Sequence, residues 1–241
     1  MREDARALAR LQIRVWARSR GPLLWSLFLL AWGWFNWEAL GGRDGSPWWA
    51  GWAALAAWIG FLAGYDAYAR MREDGTIRLL LLQPASRWTV AVGTWAGGTA
   101  LTVIGLLLFL AFVALLYTPP PDSHMALAAL LVLLTGGAFV AYAQLASLLM
   151  PRDSAAVLGL IVVVGGATAH DRWIPPGAPE WVEPATYVLF LLLPTTYRLT
   201  TGLAGDGVIA AAVIPVAQTT LAVTAIGVLL RRRALTRRRD R

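Results

Sequence analysis

Lysine and cysteine do not occur in this sequence, and histidine occurs only twice. Each absence removes a kind of chemistry. Without cysteine there is no disulfide, no thiolate metal site and no thiol nucleophile, and the redox compartment stays open. Without lysine there is no G-x-x-x-x-G-K-[ST] loop, whose lysine holds the terminal phosphates of a bound nucleotide. A process driven by ATP would therefore draw on an ATPase in a separate polypeptide, and ATP and magnesium would be held there rather than by this chain. His124 and His170 fall at the ends of apolar segments, and neither has a second ligand at metal spacing. No G-x-S-x-G element and no paired intramembrane carboxylates are present. The expectation is a protein that is not itself catalytic and binds no metal.

Charged residues are also few, at 15%, while 58% of the 241 residues are hydrophobic. With a mean hydropathy of +0.57, the chain reads as an integral membrane protein with no room for a second globular domain. The net charge of +7 comes from 21 basic residues, all arginine. They sit at the ends of apolar segments, where anionic lipid headgroups rather than nucleic acid are the expected partners.

Arg2, Arg6, Arg10, Arg14 and Arg18 recur every fourth residue, with Leu8, Leu11, Val15 and Trp16 between them. On a helix this makes a basic face opposite an apolar one, the pattern of a helix lying in the membrane interface. A cleaved signal peptide fits poorly, because the basic part is long and no small-x-small site follows the first apolar run. Six membrane spans follow, over 22–40, 47–69, 88–117, 125–149, 154–170 and 208–230. An even number puts both termini on one side. Eighteen arginines then fall on that side and three, Arg43, Arg172 and Arg198, on the other. The positive-inside rule makes the terminal side cytoplasmic in a plasma-membrane protein.

Residues 171–207 are read as two short outer helices, 184–193 and 195–204, meeting at Pro194. They are free to dip part-way into the bilayer where protein covers them. An ordinary loop with surface helices is the alternative. Counting 185–204 as a seventh span would place the arginine-rich tail outside, and its second half is polar.

Arg70 to Trp88 is neither a span nor an ordinary connector. Gly75 can close one short helix and Thr76 can open another. The apolar run Ile77 with Leu79 to Leu82 is far shorter than the roughly 20 residues a span needs. Pro84 ends it, and Ser86 can cap the next helix. An amphipathic loop helix resting on lipid has this pattern, as does a helix built to fit a groove on another protein.

Glu73-x-Gly75-Thr76-Ile77, followed by a leucine cluster, Pro84 and Arg87, resembles the signature after the second span of ABC type-2 transporter permeases. The resemblance implies an all-α fold of six spans with an N-terminal elbow helix, a cytoplasmic coupling helix between spans 2 and 3, and an external helical hairpin before span 6. It implies that Glu73, Gly75, Thr76, Ile77, Arg78, Leu79, Leu80, Leu81, Leu82, Pro84 and Arg87 seat in an ATPase subunit. Arg78 stands where many relatives carry an acid. The hairpin, at Leu192, Leu193 and Pro194, corresponds to a lid on the outer exit. Spans 2 and 5 line the path in that family, which makes Trp52, Trp58 and Asp66 candidates along it. Asp66 would be costly facing lipid. It pairs with Arg70 one turn on, or takes part in proton coupling.

The function implied is the permease of an ATP-driven exporter of hydrophobic or amphipathic cargo, such as a drug, lipid or peptide. Two permeases, identical or paralogous, and two P-loop ATPase subunits would form the working unit. One alternative is a member that uses the same coupling to drive an extracytoplasmic partner, such as a metal-site maturation factor. Another is a proton-coupled secondary transporter or a membrane scaffold, although no internal repeat is evident. Gly60-x-x-x-Gly64 and Gly93-x-x-x-Gly97, with Gly159, Gly165 and Gly166, are expected to let spans approach closely.

Overall fold

Trp88–Leu116, Ala126–Leu149 and Val208–Leu230 run without a charged side chain, and they form the long helices of the protein. The computed structural model describes residues 2–18, 49–82, 86–116, 125–165, 174, 177–196 and 207–239, and no strand occurs among them. The described helices are α1 (Arg2–Arg18), α2 (Trp49–Gly64), α3 (Ala67–Glu73), α4 (Thr76–Leu82), α5 (Arg87–Leu116), α6 (Met125–Leu149), α7 (Arg152–Gly165), α8 (Val182–Leu192) and α9 (Val208–Arg239).

Three of them are long and apolar enough to cross a membrane, within Arg87–Phe109, Ala126–Leu149 and Val208–Arg232. These are the third, fourth and sixth expected spans. The expected first span, 22–40, lies outside the described residues, as do 47–48 and 166–170 of the second and fifth. Within the described residues the fifth is a helix of 14 residues. The second ends at Gly64, with turn residues Tyr65 and Asp66 separating it from α3. Within the expected 47–69 interval the chain thus breaks its helical ladder and restarts.

α6 is the hub, packing against α2, α3, α5, α7 and α9. Lipid gives no hydrophobic drive for one helix to leave it for another, so close packing and interhelical hydrogen bonds must hold a bundle together. The glycines supply the close packing. A Cβ at Gly60 would stand 2.6 Å from the Gly136 carbonyl oxygen, and at Gly64 2.7 Å from that of Val140. Backbone therefore meets backbone along α2 and α6. The Phe61 ring occupies the space a side chain at Gly159 would need, which seats α7 on the same pair. Ala57, Phe61, Phe139, Ala143 and Val163 form the buried cluster there.

α1 packs against α5. Gly93 receives Ala5 and Leu8, and Gly97 receives Gln12. Ile13 reaches the cluster of Ala63, Leu101 and Val140. Both helices advance together along this contact. The face turned inward is Ala5, Leu8, Gln12 and Ile13, while Leu11 is exposed together with Arg6, Arg10 and Arg14. Of the apolar positions expected on one face, Leu8 is turned inward and Leu11 is not. Glycine on α5, rather than bulk on α1, decides which face goes in.

Candidate functional site

The starts of α3, α4 and α5, the end of α6 and the second half of α9 meet in a buried cluster of Tyr68, Ile77, Val90, Ala91, Leu148, Ile226 and Leu230. Arg70 and Arg72 lie on α3, Arg87 opens α5, Arg152 opens α7, and Arg231 and Arg232 follow Leu230 on α9. This is the basic end of the bundle.

α3 and α4 form a knuckle here. The Asp74 amide donates to the Arg70 carbonyl at 2.9 Å and that of Gly75 to Arg72 at 3.3 Å, which closes α3. Gly75 has φ +70°, the left-handed conformation that a side chain makes costly, with no atom near where a Cβ would be. The chain then re-enters a helix at Thr76. Ile77, 8% exposed, enters the buried cluster and Leu80 packs against it. Leu79, two residues from Ile77 and so on the far side of the helix, is 64% exposed. Glu73 and Asp74, at the end of α3, are exposed as well. Ser86 Oγ accepts from the Thr89 amide at 3.1 Å, the expected N-cap of α5. Arg87 Nη1 donates to the Leu80 carbonyl at 3.3 Å, tying the knuckle to α5.

Of the expected coupling residues, Glu73, Gly75, Thr76, Ile77, Leu79, Leu80 and Arg87 therefore lie together. Arg78, Leu81 and Leu82 belong to α4, and Pro84 lies outside the described residues.

The break before α3 is held from another helix. Asp66 occupies the N-cap position but makes no side-chain cap. Ser147 Oγ of α6 accepts instead from the amides of Tyr68 at 3.0 Å and Ala69 at 2.9 Å. These are two of the four donors that a helix start leaves without partners. Arg72 returns the service. Its guanidinium donates to the carbonyls of Ser147 at 2.8 Å, Leu148 at 3.4 Å and Met150 at 2.6 Å, at the end of α6. A cation is favoured there by the helix dipole. Deeper in, the Tyr68 hydroxyl bonds Thr94 Oγ1 at 2.6 Å, and Gln144 Nε2 donates to the Thr94 carbonyl at 2.9 Å.

Freed from capping, the Asp66 carboxylate pairs with Arg70 at 2.8 Å and Arg152 at 3.5 Å. Arg152 also lies over the Tyr65 ring, 5.8 Å from its centroid. Asp66 thus sits between two arginines at the basic end. Trp58, grouped with it by the sequence, packs half-buried against the Phe61, Phe139 and Val163 cluster. Trp52 falls in the first turn of α2.

The expected gate residues lie elsewhere. α8 runs from Val182 to Leu192, close to the expected 184–193, whereas most of 195–204 lies outside the described residues. Gln218 Nε2 donates to the carbonyls of Leu191 and Leu193, each at 2.8 Å, and the Tyr142 hydroxyl donates to that of Leu192. Pro194, Thr195 and Thr196 are buried. At 1.5 Å per residue, Gln218 lies about 15 Å along α9 from Val208, and Tyr142 roughly 25 Å along α6 from Met125. The tip therefore lies alongside these helices, well inside their first residues, rather than above their ends.

Sequence reasoning did not single out Arg72, Ser147, Tyr142 or Gln218. For the last three the signal is a polar side chain at an otherwise apolar span position, which must find a partner when buried.

A family model described as ABC-2 family transporter protein matches residues 19–169, more than half of the chain. No curated protein matches it.

Proposed function

Because the chain belongs to the ABC-2 family of transporter proteins, we propose that it is the membrane permease subunit of an ATP-driven exporter. Integral membrane location and an ATPase partner go with that family. The finer reading is that two P-loop ATPase subunits hold the ATP and magnesium, and that a second copy or a paralogue completes the pair.

The observation that carries this reading is the contrast within α4. Ile77 is 8% exposed and Leu79 is 64% exposed. The element is fixed from behind and offers an apolar knob to whatever lies beyond, with Glu73 and Asp74 exposed at the end of the preceding helix. A groove-fitting partner needs a rigid anchor of this kind. The arginines gathered at the same end favour a cytoplasmic placement, where an ATPase would be met, with both termini on that side.

ATP-driven approach of the ATPases would push on α4 and re-orient the long helices. The apolar character of those helices favours hydrophobic or amphipathic cargo, with Trp52, Trp58 and Asp66 as candidates along the path and Leu192 to Pro194 as the outer gate.

The test is co-expression with a P-loop ATPase encoded beside the chain. Leu79→Glu and Glu73→Arg, alone and together, are expected to abolish co-purification and permease-stimulated hydrolysis in nanodiscs. Undiminished association and hydrolysis in the double variant would reject the assignment.

A further inference from the structure

We infer that Arg72 and Ser147 are positioning residues that clamp the knuckle to the end of α6, so that a load on α4 is delivered to α6 and α9 directly rather than along the backbone of α2. The delivery of load rests on the coupling reading above; the clamp itself does not.

Three observations converge. The two contacts are reciprocal, Ser147 capping the start of α3 while Arg72 caps the end of α6. Each satisfies main-chain groups that a helix terminus leaves open, so neither partner can withdraw without stranding the other. A planar guanidinium with several fixed donors suits three carbonyls at once, which an ammonium does not. Between the contacts lies the shared cluster, in which Ile77 of α4 meets Leu148 of α6 and Ile226 and Leu230 of α9. The direct backbone route from α4 to α2 passes through the turn at Tyr65 and Asp66, where the helical ladder is interrupted. Packed side chains and charge-assisted bonds transmit displacement better than two turn residues do.

Arg72 is half-buried and aimed at α6, whereas Leu79 points outward. Seating of a partner and transfer of its motion are thereby assigned to different residues. Loss of Arg72 separates them.

The chain contains no cysteine, so spin labels can be placed at introduced Leu79→Cys and Leu149→Cys, both exposed positions. In the full-length permease alone, in nanodiscs, electron–electron distance measurements are expected to give one narrow separation. Arg72→Gln and Ser147→Ala should broaden it, and Arg72→Lys should fall between. A distribution as narrow in Arg72→Gln as in the parent overturns the clamp, whatever the ATPase does.

In the complex with the ATPase, trapped with ATP and vanadate, the parent separation is expected to stay fixed. Arg72→Gln should bind the ATPase as the parent does, yet lose about tenfold in permease-stimulated hydrolysis, the ratio that goes with one lost hydrogen bond to a charged group. A nucleotide-driven shift between Leu79 and Leu149 in the parent overturns the direct delivery. Joint loss of binding and hydrolysis in Arg72→Gln also overturns it, since Arg72 would then serve seating. If the parent permease neither binds nor stimulates the ATPase, the coupling reading fails and the delivery with it, while the labels on the isolated chain still decide the clamp.

Discussion

Gly64 lies directly beneath the main chain of α6: a Cβ added there would stand 2.7 Å from the Val140 carbonyl oxygen and 2.8 Å from Ala143 Cβ. The obstacle is backbone, which cannot swing aside. Gly64→Ala is expected to cost about 1–3 kcal/mol, the usual penalty of overpacking. Gly137→Ala is the control, because its nearest neighbour is 3.8 Å away. It should be neutral, or stabilising by up to about 1 kcal/mol through better helix propensity. Thermal unfolding of the two variants in one detergent checks the contrast.

Gly75 poses the opposite problem, open space with a positive φ of +70°. Gly75→Ala should cost roughly 1–2 kcal/mol through backbone conformation alone. Gly75→Asn should cost less, since asparagine visits this region more readily. Hydrogen exchange at the amides of Thr76 to Leu80 would report the loss as faster local opening, with the long helices unchanged.

Ile77 and Leu79 separate anchoring from contact. Ile77→Ala empties part of a buried cluster and is expected to lower stability by about 2–5 kcal/mol. Leu79→Ala removes an exposed side chain and should leave stability within about 0.5 kcal/mol. Melting curves read the first effect, and ATPase co-purification reads the second. A fall in stability for Leu79→Ala equal to that of Ile77→Ala would show that Leu79 is not the free knob described.

Gln218 holds two carbonyls at the end of α8. Gln218→Leu leaves both without their side-chain donor and is expected to cost about 1–3 kcal/mol locally. Tyr142→Phe removes one donor and leaves Gln218 in place, so its effect should be smaller. Faster hydrogen exchange through Val188 to Leu193, graded in that order, is the expected result.

The long helices α5, α6 and α9 were legible because each contains a run of more than 20 residues without charge. The knuckle was legible because its punctuation is local: glycine where φ is positive and Ser86 three residues before the amide it caps. The pairing of α2 with α6 was half legible, since Gly60 and Gly64 announce a close approach without naming the partner. What could not be read is held by distant residues. The break at Tyr65 and Asp66 depends on Ser147, 79 positions from Tyr68, and no window of sequence contains both. The inward face of α1 was legible at Leu8 but not at Leu11, for a related reason. Its choice between Leu11 and Gln12 is made by glycines on α5, and a helix's own periodicity cannot report the shape of its neighbour. The polar Thr195 and Thr196 counted against a seventh span, and both are buried at the turn after α8.

Side-chain hydrogen bonds hold the end of α8 to α9 at Leu191 and Leu193 through Gln218, and to α6 at Leu192 through Tyr142. Gln218 stands one turn beyond Pro215, where α9 lacks an amide proton and one rung of its ladder. Torque applied to this end of α8 is therefore delivered to α9 beside the rung where that helix bends most cheaply.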